Sequence, residues 1–297
     1  MRVLIRLALL LLLALPLLGP GLRAAPASAA ASQPIRVFFL DVGQGDATLI
    51  RAGQDFDALV DGGRKSAGER VLETLRRLGV DDLEVLVATH ADADHTGGLI
   101  AVLEDDALAV ESVLYNGYPG ETQTWAGFAA AVQAEGLTLT PAQRPQVFAW
   151  GGVHAAVLNP PPGLLDPDQN QASIVLRLEV GPFALLLPAD IDSGVEAQLL
   201  AGGELLDSDL LKVAHHGSQY SSSAEFLQAV DPAQAVISVG LNPYGHPAPE
   251  TLARLAAVGA QVWRTDWHGT LVWRGEGDGD ILFALNTYVP LVVQGGP

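Results

Sequence analysis

Residues 83–88 are apolar except for Glu84 and rich in valine and leucine, the composition of a strand buried on both faces. Such a strand must be covered on each side, which points to an α/β fold. Directly after it comes Thr89-His90-Ala91-Asp92-Ala93-Asp94-His95-Thr96-Gly97-Gly98. Four side chains able to ligate metal, His90, Asp92, Asp94 and His95, fall within six residues of chain. A turn there can aim alternate side chains at two neighbouring ions. Imidazole with carboxylate suits zinc, and so carboxylate-rich a mixture also accepts manganese. The plainer use of the same residues is a polar turn whose aspartates cap the next helix, since Asp94 lies close to a helix start.

The rest of the chain alternates strand-like and helix-like runs with no long linker. Residues 174–180 and 183–187 flank Gly181-Pro182 as a hairpin, and residues 71–78 have helical spacing before Gly79. Ser193 with Glu196 reads as a capping box, and residues 249–258 as a helix stopped by Gly259. With 49% apolar and 17% charged residues, the chain can bury a substantial core. Two mixed sheets covered by helices are expected, in one domain over residues 30–297.

Residues 1–29 read as a secretory signal peptide. Arg2 and Arg6 precede a short apolar run over 7–18, broken by Pro16, and Ala27-Ser28-Ala29 supplies small residues for cleavage near Ala29 or Ala30. That run falls short of the roughly 20 residues a membrane span needs. The mature protein is therefore expected in the periplasm or the medium, with no stable membrane insertion.

Cysteine is absent, which rules out disulfides, cysteine-ligated zinc or iron–sulfur centres and a cysteine-linked lipid. The formal net charge is −18, and a signal peptide carrying Arg2, Arg6 and Arg23 would leave the mature chain more acidic still. Nucleic-acid binding draws on Lys and Arg, so a small or single-stranded substrate fits better than long duplex DNA. An anionic substrate would have to be drawn in locally, by metal. No nucleophile elbow or P-loop is present.

Further candidates sit where strands end. Asp190 closes Leu185-Leu186-Leu187-Pro188-Ala189-Asp190 and is placed either to hold two cations or to cap the next helix. His215-His216-Gly217-Ser218 follows a strand. Neighbours on extended chain point to opposite sides, so one of the two histidines is expected to ligate metal. His215 is preferred, leaving His216 beside the substrate and the catalytic step. His246, in Asn242-Pro243-Tyr244-Gly245-His246-Pro247, is expected to contact phosphate or donate a proton to the leaving oxygen, or else to pack between prolines. Asp41, Gln44 and Asp46 share a glycine-rich turn, either near the cleft or simply forming the turn. His154 and His268 are read as structural.

The sequence His90-Ala91-Asp92-Ala93-Asp94-His95 is similar to the H-x-[HD]-x-D-H signature of the metallo-β-lactamase fold, in the variant with Asp at the second ligand position. Together with Asp41-Val42-Gly43-Gln44-Gly45-Asp46, Asp61-Gly62-Gly63, His215-His216-Gly217-Ser218 and Tyr244-Gly245-His246-Pro247, it resembles the hydrolase domain of the bacterial DNA-uptake channel protein ComEC, over residues 38–266. The resemblance implies a four-layer αββα sandwich of two mixed sheets and two divalent ions, zinc first and manganese second. It implies His90 and Asp92 on one ion, Asp94 and His95 on the other, and Asp190 bridging them. Asp61 would orient the histidines. A third histidine that most of the family supplies to the first ion is replaced here by a loop offering Asn170 and Ser173. Ser218 would support the site or meet substrate. The implied chemistry is metal-assisted phosphodiester hydrolysis by a nuclease, with Asp94 contributing to catalysis. Another hydrolase on the same fold, acting on a phosphorylcholine ester, a lactone or a β-lactam, and a non-catalytic extracellular binding module are the alternatives.

Overall fold

The computed structural model describes residues 35–53, 55–164, 168–275 and 284–285. The expected signal peptide lies outside them. No helix among the described residues is long and apolar enough to cross a membrane.

Side-chain alternation along the strands sorts the apolar residues into layers. In Ile35–Phe39, Val37 and Phe39 face one side and Phe38 the other, and in Val85–Ala88 the split is Val85 and Val87 against Leu86 and Ala88. Phe183–Leu187 repeats the arrangement, with Leu185 and Leu187 opposed to Leu186. The inward sets of two sheets meet in a common core that includes Val37, Phe39, Val87, Leu176, Leu185 and Trp273. The outward set of the first sheet packs under helices Gly68–Leu78, Leu99–Leu103 and Gln123–Ala134. That of the second packs under Ser193–Gly202, Ala224–Val230 and Pro249–Ala257. The result is the four-layer αββα sandwich that the sequence implied.

Both sheets are mixed. In the first, Leu271–Gly275, Ile35–Phe39, Thr48–Ala52 and Phe56–Val60 run antiparallel in that order, and Val85–Ala88, Val113–Tyr115 and Leu139–Pro141 then continue in parallel. In the second, Gln261–Arg264, Gln234–Ile237, Leu210–Lys212 and Phe183–Leu187 are parallel, while Val175–Val180, Val153–Asn159 and Val147–Trp150 are antiparallel. The parallel portions matter for function, because segments following parallel strands open at the same end of their sheet. Asp61, Thr89-His90, Asp190, the 214–217 turn and Ser238 all follow strands of these portions.

Three expectations differ from what is observed. The apolar run 83–88 divides at Glu84: Asp82–Leu83 pairs with Ala109–Val110, and only Val85–Ala88 joins the large sheet. The reason is that the Glu84 carboxylate turns back to accept the Asp57 amide at 2.7 Å. The capping box is not formed either. Asp192 caps helix Ser193–Gly202 by accepting the Val195 amide at 3.0 Å, while buried Glu196 accepts the amides of Ser222 and Ser223 across the layer. His154 lies on its strand as read, yet its side chain is exposed and not buried in the core.

The segment 61–63 and the turn 95–98 interlock backbone to backbone. The Gly62 amide donates to His95 O and the Gly98 amide to Gly63 O, each at 2.8 Å. A Cβ on Gly98 would stand 1.9 Å from Gly62 O. Gly98→Ala is accordingly expected to cost about 3 kcal/mol, the upper end for overpacking, and chemical denaturation checks this.

Candidate metal centre

The site is built outward from Asp61, which ends strand Phe56–Val60 and is 1% exposed. Its Oδ1 accepts the Thr89 amide at 2.9 Å and its Oδ2 the Thr89 hydroxyl at 2.7 Å. His95 Nδ1 stands 2.8 Å from the same Oδ2. A carboxylate can only accept, so the His95 proton sits on Nδ1 and its Nε2 is turned away. The Thr89 hydroxyl has spent its proton on Asp61 and must accept from His90 Nδ1, 3.1 Å away. His90 is thereby held as the Nδ1–H tautomer, again with Nε2 turned away. His216 follows the same rule, with Nδ1 donating to the Ser238 carbonyl at 3.0 Å. All three rings are essentially fully buried, and none of the three Nε2 atoms has a hydrogen-bond partner.

These Nε2 atoms converge on carboxylates. Asp190 Oδ2 is 3.3 Å from both His95 Nε2 and His216 Nε2, and 3.7 Å from His215 Nε2. Asp94 Oδ2 is 3.8 Å from His216 Nε2, and Asp92 Oδ2 is 3.7 Å from His90 Nε2. Sets His90, His95, Asp190 and Asp94, His95, His216 each bring one ligand atom per residue within 4.8 Å of the others. Buried Asp190 Oδ1 is also without a hydrogen-bond partner. Polar atoms left this way in a dry interior are costly unless something else satisfies them. An imidazole whose outer nitrogen is tied to a carboxylate or carbonyl is the arrangement of a metal-ligating histidine. The residues therefore fit the divalent ions that the fold implies.

Electrostatics agree with that fit. Burial opposes a charge on His95 and His216, but Asp190, with Asp61 beside His95 and Asp46 beside His216, outweighs it. His95 is held well above the ordinary imidazole range and His216 is pushed up to about 9. Against the same burial, His216 and His95 keep Asp190 well below the usual carboxylate range. His90, with burial dominant and His95 beside it, is held well below the ordinary range and is neutral. Asp92, at the start of helix Ala93–Thr96, uses its side chain for no cap, so the helix-capping alternative is not what this carboxylate does.

The His215-His216 pair corrects the sequence reading. The segment is not extended: both residues adopt left-handed backbone, φ +50° and +54°. His216 joins the buried set, whereas His215 belongs to none of the metal-capable sets among the described residues. Its partly exposed ring stands edge-on to His246, centroids 5.6 Å apart. Gln44, Asp92, Asp94, Asp190, His215, His216, Tyr244 and His246 line a cavity of about 200 Å³ over the cluster. Burial, with His215 and His216 nearby, pushes His246 down to about 4. At pH 7 it is a neutral hydrogen-bonding group, and the imidazolium that proton donation from it requires is absent.

Asp41 is a second correction. Its carboxylate accepts the Gly43 amide at 3.1 Å and lies along a groove with Arg70 and Glu73, so it shapes the turn and does not line the cavity. Ser218 is buried, its hydroxyl accepting the Tyr220 amide, and it borders an adjoining groove. Asn170 Oδ1 and Ser173 Oγ are buried without hydrogen-bond partners. Their loop docks on the ligand turn: Gln169 Oε1 accepts the Ala91 amide at 3.1 Å and the Ile174 amide donates to Thr89 O at 2.9 Å. Three contributors were not read from the sequence: Thr89, the Ser238 carbonyl and Lys212. Lys212 carried a visible signal, a lysine inside the apolar stretch Leu210-Leu211-Lys212-Val213-Ala214.

Comparison with known proteins agrees with this geometry. The family model of the metallo-beta-lactamase superfamily matches residues 40–240. ComE operon protein 3 of Bacillus subtilis (strain 168) is 32% identical over 257 residues, covering 80% of this chain and 33% of its own length. Competence protein ComA of Neisseria gonorrhoeae is 35% identical over 237 residues, covering 78% of this chain and 31% of its own length. Recombination protein 2 of Haemophilus influenzae is 31% identical over 223 residues, covering 73% and 26%. The chain thus spans about a third or less of the length of these relatives. From the motifs, the four layers and the matched residues together, the chain belongs to the metallo-beta-lactamase superfamily, as a ComEC-like domain.

Proposed function

We propose that this domain is a metal-dependent phosphodiesterase, a nuclease for small or single-stranded substrates. The observation that carries the proposal is the convergence of three buried Nε2 atoms, each without a hydrogen-bond partner, on Asp92, Asp94 and Asp190. His90, Asp92 and Asp190 would hold a first divalent ion, and Asp94, His95, His216 and Asp190 a second, with zinc the first candidate and manganese the next. His216 takes the ligand role assigned to His215 from sequence. When bound, such ions lower the pKa of a water and offset charge on the attacked and leaving oxygens. The chain's own part is to fix three imidazoles by their outer nitrogens and to keep Asp190 between the two sets. His215, Gln44, Tyr244 and neutral His246 surround the place where substrate would enter. A net charge of −18 disfavours long polyanions.

Metal-loaded protein should hydrolyse a chromogenic phosphodiester and cleave single-stranded DNA or RNA faster than duplex. Cleavage of lactones, β-lactams or phosphorylcholine esters with no phosphodiester turnover would overturn the proposal. Asp94→Asn and His95→Ala should reduce hydrolysis to background while melts show folded protein. Asp61→Asn should weaken metal binding by roughly 10- to 100-fold, the usual effect of removing a partner of a ligating histidine. His154→Ala should alter neither rate nor stability by more than about 0.5 kcal/mol.

Metal and proton compete for His216 Nε2. With the metal-free group raised to about 9, binding at pH 7 must release protons, and apparent affinity should climb with pH until it levels off near that value. Calorimetry in buffers of different ionisation enthalpy measures the release. The same proton release at pH 7 as at pH 10 would contradict the assignment of His216 as a ligand.

A further inference from the structure

Beneath the cleft, Lys212 and Asp46 form a close ion pair. Both are nearly inaccessible, at 2% and 4% exposure. Lys212 ends strand Leu210–Lys212, just ahead of the turn that carries His216, and its ammonium engages Asp46 Oδ2. The other oxygen, Oδ1, has no hydrogen-bond partner and stands 3.4 Å from His216 Nδ1. Asp46 also belongs to two sets able to hold a metal ion, one with Asp61 and His95 and one with Asp190 and His216. Of these residues, His95, His216 and Asp190 already belong to the upper ligands and Asp61 is engaged by Thr89 and His95, so Asp46 is the carboxylate that remains to meet a further cation at the floor of the site.

A small cavity beside the pair is lined by Asp46, Thr48, Val60, Asp61, Thr89 and Lys212. At about 10 Å³ it lies at the lower limit for one water, so little space remains beside the ion pair. A buried carboxylate requires a compensating charge. Asp46 receives it from a side chain fixed to the fold.

We infer that the Lys212 ammonium is a resident cation in the position a third metal ion would take, and that it withholds Asp46 from the metal centre. This rests on the reading of the cleft as a metal site. Lys212 is then a positioning residue that restricts the divalent ions to the upper ligands. The lysine charge cannot be lost by chelation, so the floor of the site keeps its shape when the upper ions leave.

The test is metal stoichiometry by native mass spectrometry and elemental analysis after loading with zinc or manganese. Lys212→Gln should bind one divalent ion more per chain than the parent. Lys212→Gln combined with Asp46→Asn should return to the parent number, because the added ion needs the Asp46 carboxylate. An equal number in parent and Lys212→Gln, or an added ion that persists in the double variant, would overturn the inference. Parent protein binding no divalent ion would instead remove the metal reading on which it rests. Should Lys212→Gln be poorly folded without metal, its melting temperature should rise with manganese more than that of the double variant. Equal rises would overturn the inference.

Discussion

Everything at this site depends on one buried carboxylate being fully used. Asp61 accepts the Thr89 amide and hydroxyl and faces His95 Nδ1, so it ties the end of one strand to the turn that follows its parallel neighbour. Its backbone is left-handed, φ +59°, a conformation that costs a non-glycine residue about 1–3 kcal/mol and persists where surrounding bonds enforce it. Here the Asp61 amide donates to Val87 O at 2.8 Å, and the interlocked glycines behind it leave no room for relaxation. The strain lies where the tautomers of His90 and His95 are decided. Without Asp61, neither ring would have a fixed donor side.

The electrostatics show how so acidic a cleft exists as folded protein at all. Asp46, Asp61 and Asp190 are buried within one cluster, a density of negative charge that needs cations. Lys212 supplies a permanent one, and protons on His95 and His216 supply others. On the proposed reading divalent ions would displace those protons, so the imidazoles would serve the fold in one protonation state and metal in the other.

Much of this was legible in the sequence for identifiable reasons. Residues 83–88 announced a doubly covered strand through their composition, and the ligand turn through its spacing. Asp190 was legible because it closes an apolar run, and Asp61 through the family resemblance. The extended-chain premise behind the His215-His216 reading failed because strand periodicity was applied to a segment that the chain has already left, and left-handed backbone is not written in side-chain type for histidine. Asp41 was left between two roles because a turn-forming aspartate and a site aspartate look alike within a glycine-rich loop. The Ser238 carbonyl has no sequence signature at all, being a main-chain atom positioned by the neighbouring strand. Glu84 and Glu196 show the same limit. Each was read for its local neighbours, and each spends its carboxylate on amides more than 25 positions away.

The left-handed turn at 214–217 also separates two kinds of constraint between consecutive residues. His216 is enclosed by Ser238, Asp46, Asp94 and Asp190, so almost any replacement there would disturb the buried cluster. His215 stands at the rim with His246 and Tyr244, where its ring meets open space. One short turn therefore carries a tightly enclosed position and an open one side by side. A lineage could exchange the outer residue, and with it the range of molecules admitted, while the chemistry one residue away stayed as it was.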